Sequence, residues 1–326
     1  MLNKNHLNQV VKISYNTYQD KPRLLMSDFK HKRIDDKHGF LSDIYFDISS
    51  NHLYVSFQGI THHTLKSEHL KHNMRTGGAY EYSQNFPKLK FWMNAFSSKF
   101  STSTSNMKLT VIGHSMGGAL AQLLISDVLY RNILNFNLNT KNLSLITFNG
   151  LGGTIGNYFL NTSLGLSTRR DKKLTPFVKR LWKQVETYHF VHRDDIVAKI
   201  LEHENKHCIY LIDMDNKKIL NAFHGDENAH DIDVFYNMLK KKTFSPIHCK
   251  HNNFEQFNLD DFLNGWMPIV SLFYLLMFKR GEDNITNWFK PSTYYNTFKQ
   301  INEIKSEVLS KFYRMKKRTS ITDISA

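Results

Sequence analysis

One short stretch of this chain combines residue types that could carry out nucleophilic chemistry. Gly113, His114, Ser115, Met116 and Gly117 form a Gly-x-Ser-x-Gly pattern. The apolar run LTVIG precedes the serine and an Ala- and Leu-rich stretch follows it, which predicts a sharp strand-to-helix turn. Glycines on both sides allow close backbone packing, and such a turn presents the serine hydroxyl to a cleft. The pattern therefore favours Ser115 as a nucleophile over a serine that only caps the helix.

A serine nucleophile needs a general base, and that base needs an acid to orient it. In hydrolases with this kind of turn, the chain order is serine, acid, histidine. A predicted strand, VETYHFV, leads into Asp194 and Asp195, and His224 and His230 lie farther along the chain. Both acids and both histidines are candidates on order alone.

Several segments, in chain order, resemble the class 3 lipase family of α/β-hydrolases. They are FQG (57–59), GGAYEY (77–82), GHSMGGALA (113–121), ITFNG with IGNYF after it (146–159), Asp195-Ile196-Val197 and HDIDVF (230–235). The resemblance covers roughly residues 41–239. It implies a serine hydrolase that cleaves carboxylic esters of lipids, with Ser115 as nucleophile, Asp195 as orienting acid and His230 as general base. Asp194 and His224 remain the alternatives for the last two roles.

The same resemblance implies an oxyanion hole made by the backbone N–H groups of Met116 and Ile60. Here the sequence departs from the family, because many members have Thr or Ser at the position of Ile60 and Arg at the position of Gln58. Thr61 is a possible substitute for the missing hydroxyl. Such chemistry requires neither a metal nor an organic cofactor. His69 and His72 would share a helix face, but no cysteine or carboxylate cluster completes a zinc site there.

The elements that must position these residues alternate between strands and helices, which predicts a mostly parallel sheet flanked by helices. We predict strands at 43–48, 53–57, 109–113, 143–148 and 185–191, and a hairpin over 208–220. Helices are predicted at 80–100, 117–130 and 230–242, with Pro87 in or near the first turn of the first helix. The fold class is therefore α/β, and the resemblance specifies the α/β-hydrolase fold.

Two domains are predicted: a hydrolase domain over 1–244 and a helical, aromatic and basic extension over 245–326. Segment 61–76 lies where class 3 lipases often have a lid. The apolar segment 265–278 predicts a buried helix, or alternatively a lid or an interfacial helix. Its basic neighbours, including the RMKKR cluster, would add attraction to an anionic membrane.

Composition and net charge indicate which classes of binding partner to expect. The chain has 326 residues and a formal net charge of +14, which favours anionic surfaces. No nucleic-acid-binding module is recognisable, so we expect a lipid substrate and peripheral contact with an anionic membrane. Glycerophospholipids are favoured over neutral acylglycerols on this ground. An acyltransferase and a catalytically silent membrane- or polyanion-binding scaffold are the alternatives, and the oligomeric state is left open.

Two cysteines do not make a disulfide framework, and the first residues lack the apolar core of a secretory signal. These features predict a cytoplasmic protein or one exported without a signal peptide, and peripheral attachment to a membrane is compatible with either.

Overall fold

The structure is a computed structural model whose backbone divides into two compact units, Met1–Gln256 and Phe257–Ala326. All the residues that the structure describes belong to the first unit. They are residues 3–22, 28–37, 39–59, 78–103, 106–131, 133–135, 138–153, 180–192, 195, 198, 203, 209–212 and 232–240. The predicted domain boundary after residue 244, the extension and both candidate lid segments lie outside these residues and stay predictions.

Seven strands form one mixed sheet in which each strand lies beside the next along the chain. They are β1 (Phe29–Asp35), β2 (Leu41–Asp47), β3 (His52–Phe57), β4 (Lys108–His114), β5 (Leu143–Phe148), β6 (Glu186–His192) and β7 (Ile209–Ile212). β1, β2 and β3 pair antiparallel, whereas β3 to β7 pair parallel. The carboxyl ends of the parallel strands therefore share one edge of the sheet, where catalytic groups of open α/β sheets collect.

The four described α-helices cover both faces of the sheet. They are α1 (Lys4–Asn16), α2 (Ala79–Phe100), α3 (Met116–Arg131) and α4 (Ile232–Lys240). Apolar residues of α2 and α3 pack in one core cluster with β3 to β5, while α1 and α4 share the other cluster. Strand residues alternate between the two clusters because successive side chains point to opposite faces of a sheet. For example, Val55 belongs to the first cluster and Tyr54 to the second.

The predicted α/β class with its helix-flanked, mostly parallel sheet is confirmed. Most predicted element bounds lie within two residues of the observed ones. α1 and β1 were not predicted: polar residues interrupt the apolar pattern of β1, whereas α1 does carry apolar residues at helical spacing, among them Leu7, Val10 and Val11. Pro87 lies beyond the first two turns of α2, not near its start. Of the predicted hairpin, only β7 is described, and it pairs parallel to β6.

No helix in the described part of the chain is both long enough and apolar enough to cross a membrane.

Candidate active site

Ser115 occupies the sharp turn between β4 and α3 that its glycine-flanked sequence predicts. Its φ is +56°, in the left-handed region that non-glycine residues rarely adopt. Three backbone hydrogen bonds hold this turn. The Ser115 N–H donates to the Phe148 carbonyl at 3.3 Å, and the Ser115 carbonyl accepts from Gly118 and Leu151 at 2.9 and 2.8 Å. The turn is thereby fastened to its own helix and to the end of β5, which offsets the cost of the strained backbone.

Gly117 lets α3 begin against the end of β3. A Cβ on Gly117 would lie 2.3 Å from the Phe57 carbonyl oxygen and 2.9 Å from that of Gln58, so no larger residue fits without movement. Met116 is the first residue of α3, a position whose N–H has no acceptor within the helix. The positive end of the helix dipole lies here as well. The predicted oxyanion donor Met116 thus adjoins Ser115 at an end of α3 that favours negative charge.

The turn after β3, which the resemblance assigns to the oxyanion hole, approaches the nucleophile directly. A Cβ on Gly59 would lie 2.6 Å from the Ser115 Cβ and 2.8 Å from the His114 carbonyl oxygen. Only a glycine allows this backbone approach. Ile60, the second predicted donor, and Thr61 lie outside the described residues. The described part of this turn ends at Gly59, beside Ser115.

Gln58, which stands where many class 3 lipases have arginine, is buried and anchors the same turn. Its Nε2 donates to the carbonyl of Thr17, just after α1, at 3.2 Å, and its backbone N–H donates to Leu41 at 3.0 Å. The Thr17 hydroxyl also donates to the Ser56 hydroxyl at 2.8 Å. The end of β3 is therefore held by the residues that follow α1. No local sequence pattern indicates this contact, because some forty residues separate its partners.

Asp195, the predicted orienting acid, is buried with 3% exposure and follows β6 at the same sheet edge. Its backbone N–H donates to the carbonyl of His192, the last residue of β6, at 3.0 Å. Asp194, His224 and His230 lie outside the described residues; α4 begins two residues after His230. The structure thus brings Ser115, Met116 and Gly59 together and places Asp195 after β6, two strands from β4 in the same sheet.

Asn149 is a site residue that the sequence reasoning did not single out. It follows β5, is fully buried and has a φ of +44°. Its N–H donates to the Phe190 carbonyl at 2.8 Å, and its Oδ1 accepts from the His192 N–H at 2.7 Å. Asn149 therefore fastens the end of β5 to the end of β6, just before Asp195. The Asn-Gly dipeptide formed with Gly150 was the available signal, since asparagine tolerates the left-handed region.

Solved structures similar to this chain include a lipase from Rhizopus microsporus var. chinensis, with 17% identity over 60% of this chain and 68% of that one, at a TM-score of 0.42. Lip2 lipase from Yarrowia lipolytica has 13% identity over 60% and 72%, at a TM-score of 0.38. Lipase II from Rhizopus niveus has 17% identity over 60% and 73%, also at 0.38. A comparison with curated proteins found no significant match.

Part of the chain also matches a family model in sequence. Residues 82–204 match the model of the lipase (class 3) family. The matched segment contains Ser115, Met116 and Asp195, and it ends before His230. The predicted enzyme class, a carboxylic ester hydrolase acting on lipids, is confirmed by this match. Residues 82–204 are therefore similar in sequence to the class 3 lipase family, as their motifs indicated.

Proposed function

We propose that this protein hydrolyses lipid esters through an acyl-enzyme on Ser115. The observation that carries the proposal is the position of Ser115. It has a left-handed backbone at a strand-to-helix turn, with the start of α3 on one side and the Gly59 turn on the other. Such a turn exposes the hydroxyl where backbone N–H groups can stabilise a developing oxyanion.

The remaining roles follow from the chemistry of serine. His230 takes the proton from the Ser115 hydroxyl as its oxygen attacks the ester carbonyl carbon. Asp195 holds the imidazole in the correct tautomer and stabilises its charged form. The N–H groups of Met116 and Ile60 bind the oxyanion. His230 then returns the proton to the leaving alcohol, and water attacks the acyl-enzyme to release the fatty acid. The burial of Asp195 after β6 supports this assignment, since a buried carboxylate interacts strongly with an imidazolium.

We further propose glycerophospholipids in an anionic membrane as the preferred substrate. The net charge of +14 supports this choice, because a basic protein concentrates at anionic bilayers. Neutral acylglycerols are the second candidate. Transfer of the acyl group to an alcohol would use the same acyl-enzyme, and a silent scaffold would bind the membrane without turnover.

The test is fatty-acid release from liposomes that contain phosphatidylglycerol, phosphatidylcholine and triacylglycerol, each with a distinct acyl chain. Wild type is compared with Ser115→Ala, Asp195→Asn and His230→Ala. We expect wild type to release mainly the phospholipid chains, with a loss of at least about a thousandfold in Ser115→Ala, since catalysis by the triad depends on all its members.

Asp194→Asn and His224→Ala are the matched controls, because they remove the same groups from the neighbouring candidates. Both should keep most of the activity. If a control variant is the inactive one, the acid or base role moves to that residue. If folded wild type binds the liposomes but releases no fatty acid and its Ser115 resists fluorophosphonate labelling, the hydrolase proposal is wrong. Preferential release from triacylglycerol would contradict the phospholipid preference alone.

A further inference from the structure

The residues that follow α1 contact both halves of the candidate site, and one of them makes the connection through a single atom. The hydroxyl oxygen of Tyr18 accepts a hydrogen bond from the Gly59 N–H at 2.6 Å. The same oxygen lies 2.5 Å from Nδ1 of His114, the residue before the nucleophile. Tyr18 thus bridges the turn after β3 and the end of β4. Both contacts join residues that are far apart in sequence.

The bridge is located directly beside the nucleophile. The position that a Cβ on Gly59 would occupy lies 2.6 Å from the Ser115 Cβ and 2.7 Å from the Tyr18 hydroxyl oxygen. The Tyr18 and His114 rings also meet edge to face, with their centroids 5.3 Å apart. Tyr18 therefore packs against the wall of the site as well as bonding to it.

Hydrogen-bond chemistry gives this bridge a direction. A backbone N–H only donates, so the Tyr18 oxygen accepts from Gly59. The Tyr18 hydroxyl donates to His114 Nδ1 in the tautomer that carries its proton on Nε2, and it accepts from Nδ1 in the other tautomer. The chain of bonds then runs from Gly59 N–H through the Tyr18 hydroxyl to His114. Successive bonds of this kind polarise and strengthen one another in a buried environment.

From this geometry we infer that Tyr18 is a positioning residue for the oxyanion hole. Holding the Gly59 N–H fixes the peptide unit between Gln58 and Gly59, which directly precedes the proposed donor Ile60 in the chain. Transition-state stabilisation depends on donors that are oriented before the reaction begins. The inference rests on the proposed function, because it assigns Ile60 as a donor to an ester-derived oxyanion.

The test is Tyr18→Phe, which removes the hydroxyl and keeps the ring. We expect kcat for a short soluble ester such as p-nitrophenyl butyrate to fall about 10- to 100-fold, with KM changed by less than about threefold. The rate of Ser115 labelling by a fluorophosphonate should fall in parallel, because the phosphonyl oxygen uses the same donors. A purely structural role would instead lower the folded fraction and leave the kcat of the folded enzyme unchanged.

Tyr54→Phe is the matched control. The Tyr54 hydroxyl also bonds a histidine Nδ1, that of His52, at 3.0 Å, but toward the other end of β3. This variant should keep wild-type kcat. Equal kcat in Tyr18→Phe and Tyr54→Phe would overturn the inference.

A second pair of variants does not depend on how well Tyr18→Phe folds. His114→Asn offers an amide oxygen in place of Nδ1, whereas His114→Leu offers no acceptor. We expect His114→Asn to retain at least about tenfold more kcat than His114→Leu, and equal values would contradict the bridge. If Ser115 labels normally in wild type and only these variants behave otherwise than expected, the inference fails while the proposed function stands. If Ser115 of wild type does not label, both fail.

Discussion

Two buried non-glycine residues with left-handed backbones, Ser115 and Asn149, lie at the carboxyl ends of neighbouring strands. Such conformations cost about 1–3 kcal/mol each and persist only where surrounding contacts hold them. At Ser115, this conformation presents the hydroxyl on a sharp turn. At Asn149, it places the side-chain oxygen where it accepts a hydrogen bond from the His192 N–H, and this bond between two strand ends offsets the cost of the strain. At the scale of single residues, the site is built by backbone strain that hydrogen bonds hold in place.

Two substitutions of Asn149 separate the energy of its hydrogen bond to His192 from the cost of its left-handed backbone. Asn149→Gly removes the bond to His192 but suits the positive φ, whereas Asn149→Ala removes the bond and adds strain. We expect losses in the free energy of unfolding of about 1–2 kcal/mol for Gly and about 1 kcal/mol more for Ala. Urea unfolding followed by circular dichroism measures both. Equal losses would mean that the backbone at this position is not strained.

At the scale of elements, hydrogen bonds from β1 hold the segment after α1 in place. The Arg33 guanidinium on β1 forms a bidentate pair with the buried Asp43 carboxylate, with contacts of 2.9 and 2.7 Å. Its remaining N–H groups donate to carbonyls at the end of α1, including that of Gln19 at 2.6 Å. Burial opposes the charge on Arg33, but the hydrogen bonds and negative charge of Asp43 outweigh it and raise the pKa of the guanidinium. The first strand pair thus fixes the segment that carries Tyr18.

Arg33→Met keeps much of the side-chain volume but leaves the buried Asp43 carboxylate without its guanidinium partner, so that only the His31 Nε2 contact at 2.8 Å remains among its ion pairs in the described residues. We expect a loss of about 3 kcal/mol in the free energy of unfolding, the usual cost of breaking a buried pair from one side. Lys37→Met is the control, because Lys37 pairs with Asp35 at the surface with its own side chain 82% exposed. That variant should change the free energy by less than about 1 kcal/mol. Similar losses in the two variants would show that burial of the Arg33 pair is unimportant.

The elements that the sequence predicted well are those whose signals are local. The strand, turn and helix around Ser115 follow from the alternation of apolar runs and glycines, and the predicted and observed bounds of the helix differ by one residue at each end. Tyr18 could not be predicted as part of the site, because its role arises from two contacts across 41 and 96 residues of sequence. A single sequence holds no local pattern for such contacts. Similarly, β1 has a mixed burial pattern, which gives no clear period-two signal.

At the scale of the whole molecule, buried histidines make stability depend on pH. His52 is buried beside Thr110, and its Nε2 lies 2.7 Å from the Thr110 hydroxyl. Burial, reinforced by the nearby His6 and Lys108, lowers the pKa of His52 from 6.5 to about 3. Between pH 6.5 and pH 3, His52 therefore binds a proton in the unfolded chain but not in the folded chain. The unfolding free energy that depends on His52 is therefore fully present above pH 6.5. It is lost progressively as the pH falls from 6.5 toward 3.

Between pH 7 and pH 5, we expect His52 alone to account for a loss of about 2 kcal/mol in the free energy of unfolding. The measurement is urea unfolding of wild type and His52→Gln at both pH values. Because glutamine does not titrate, the loss between the two pH values should be smaller in the variant by about this amount. Equal losses in the two proteins would assign the acid sensitivity to other groups.

The packing of α1 against α4 has a consequence for how the chain matures during synthesis. Tyr15 stacks on Tyr236 with ring centroids 4.0 Å apart, and apolar residues of both helices share one core cluster. α1 ends at Asn16 and α4 begins at Ile232. At about 5–20 residues per second, α1 leaves the ribosome roughly 10–45 s before its partner. α1 is thus made well before the helix that completes its core cluster. Until α4 is synthesised, the part of the apolar face of α1 that includes Tyr15 stays uncovered, and chaperones that bind apolar surface can reach it.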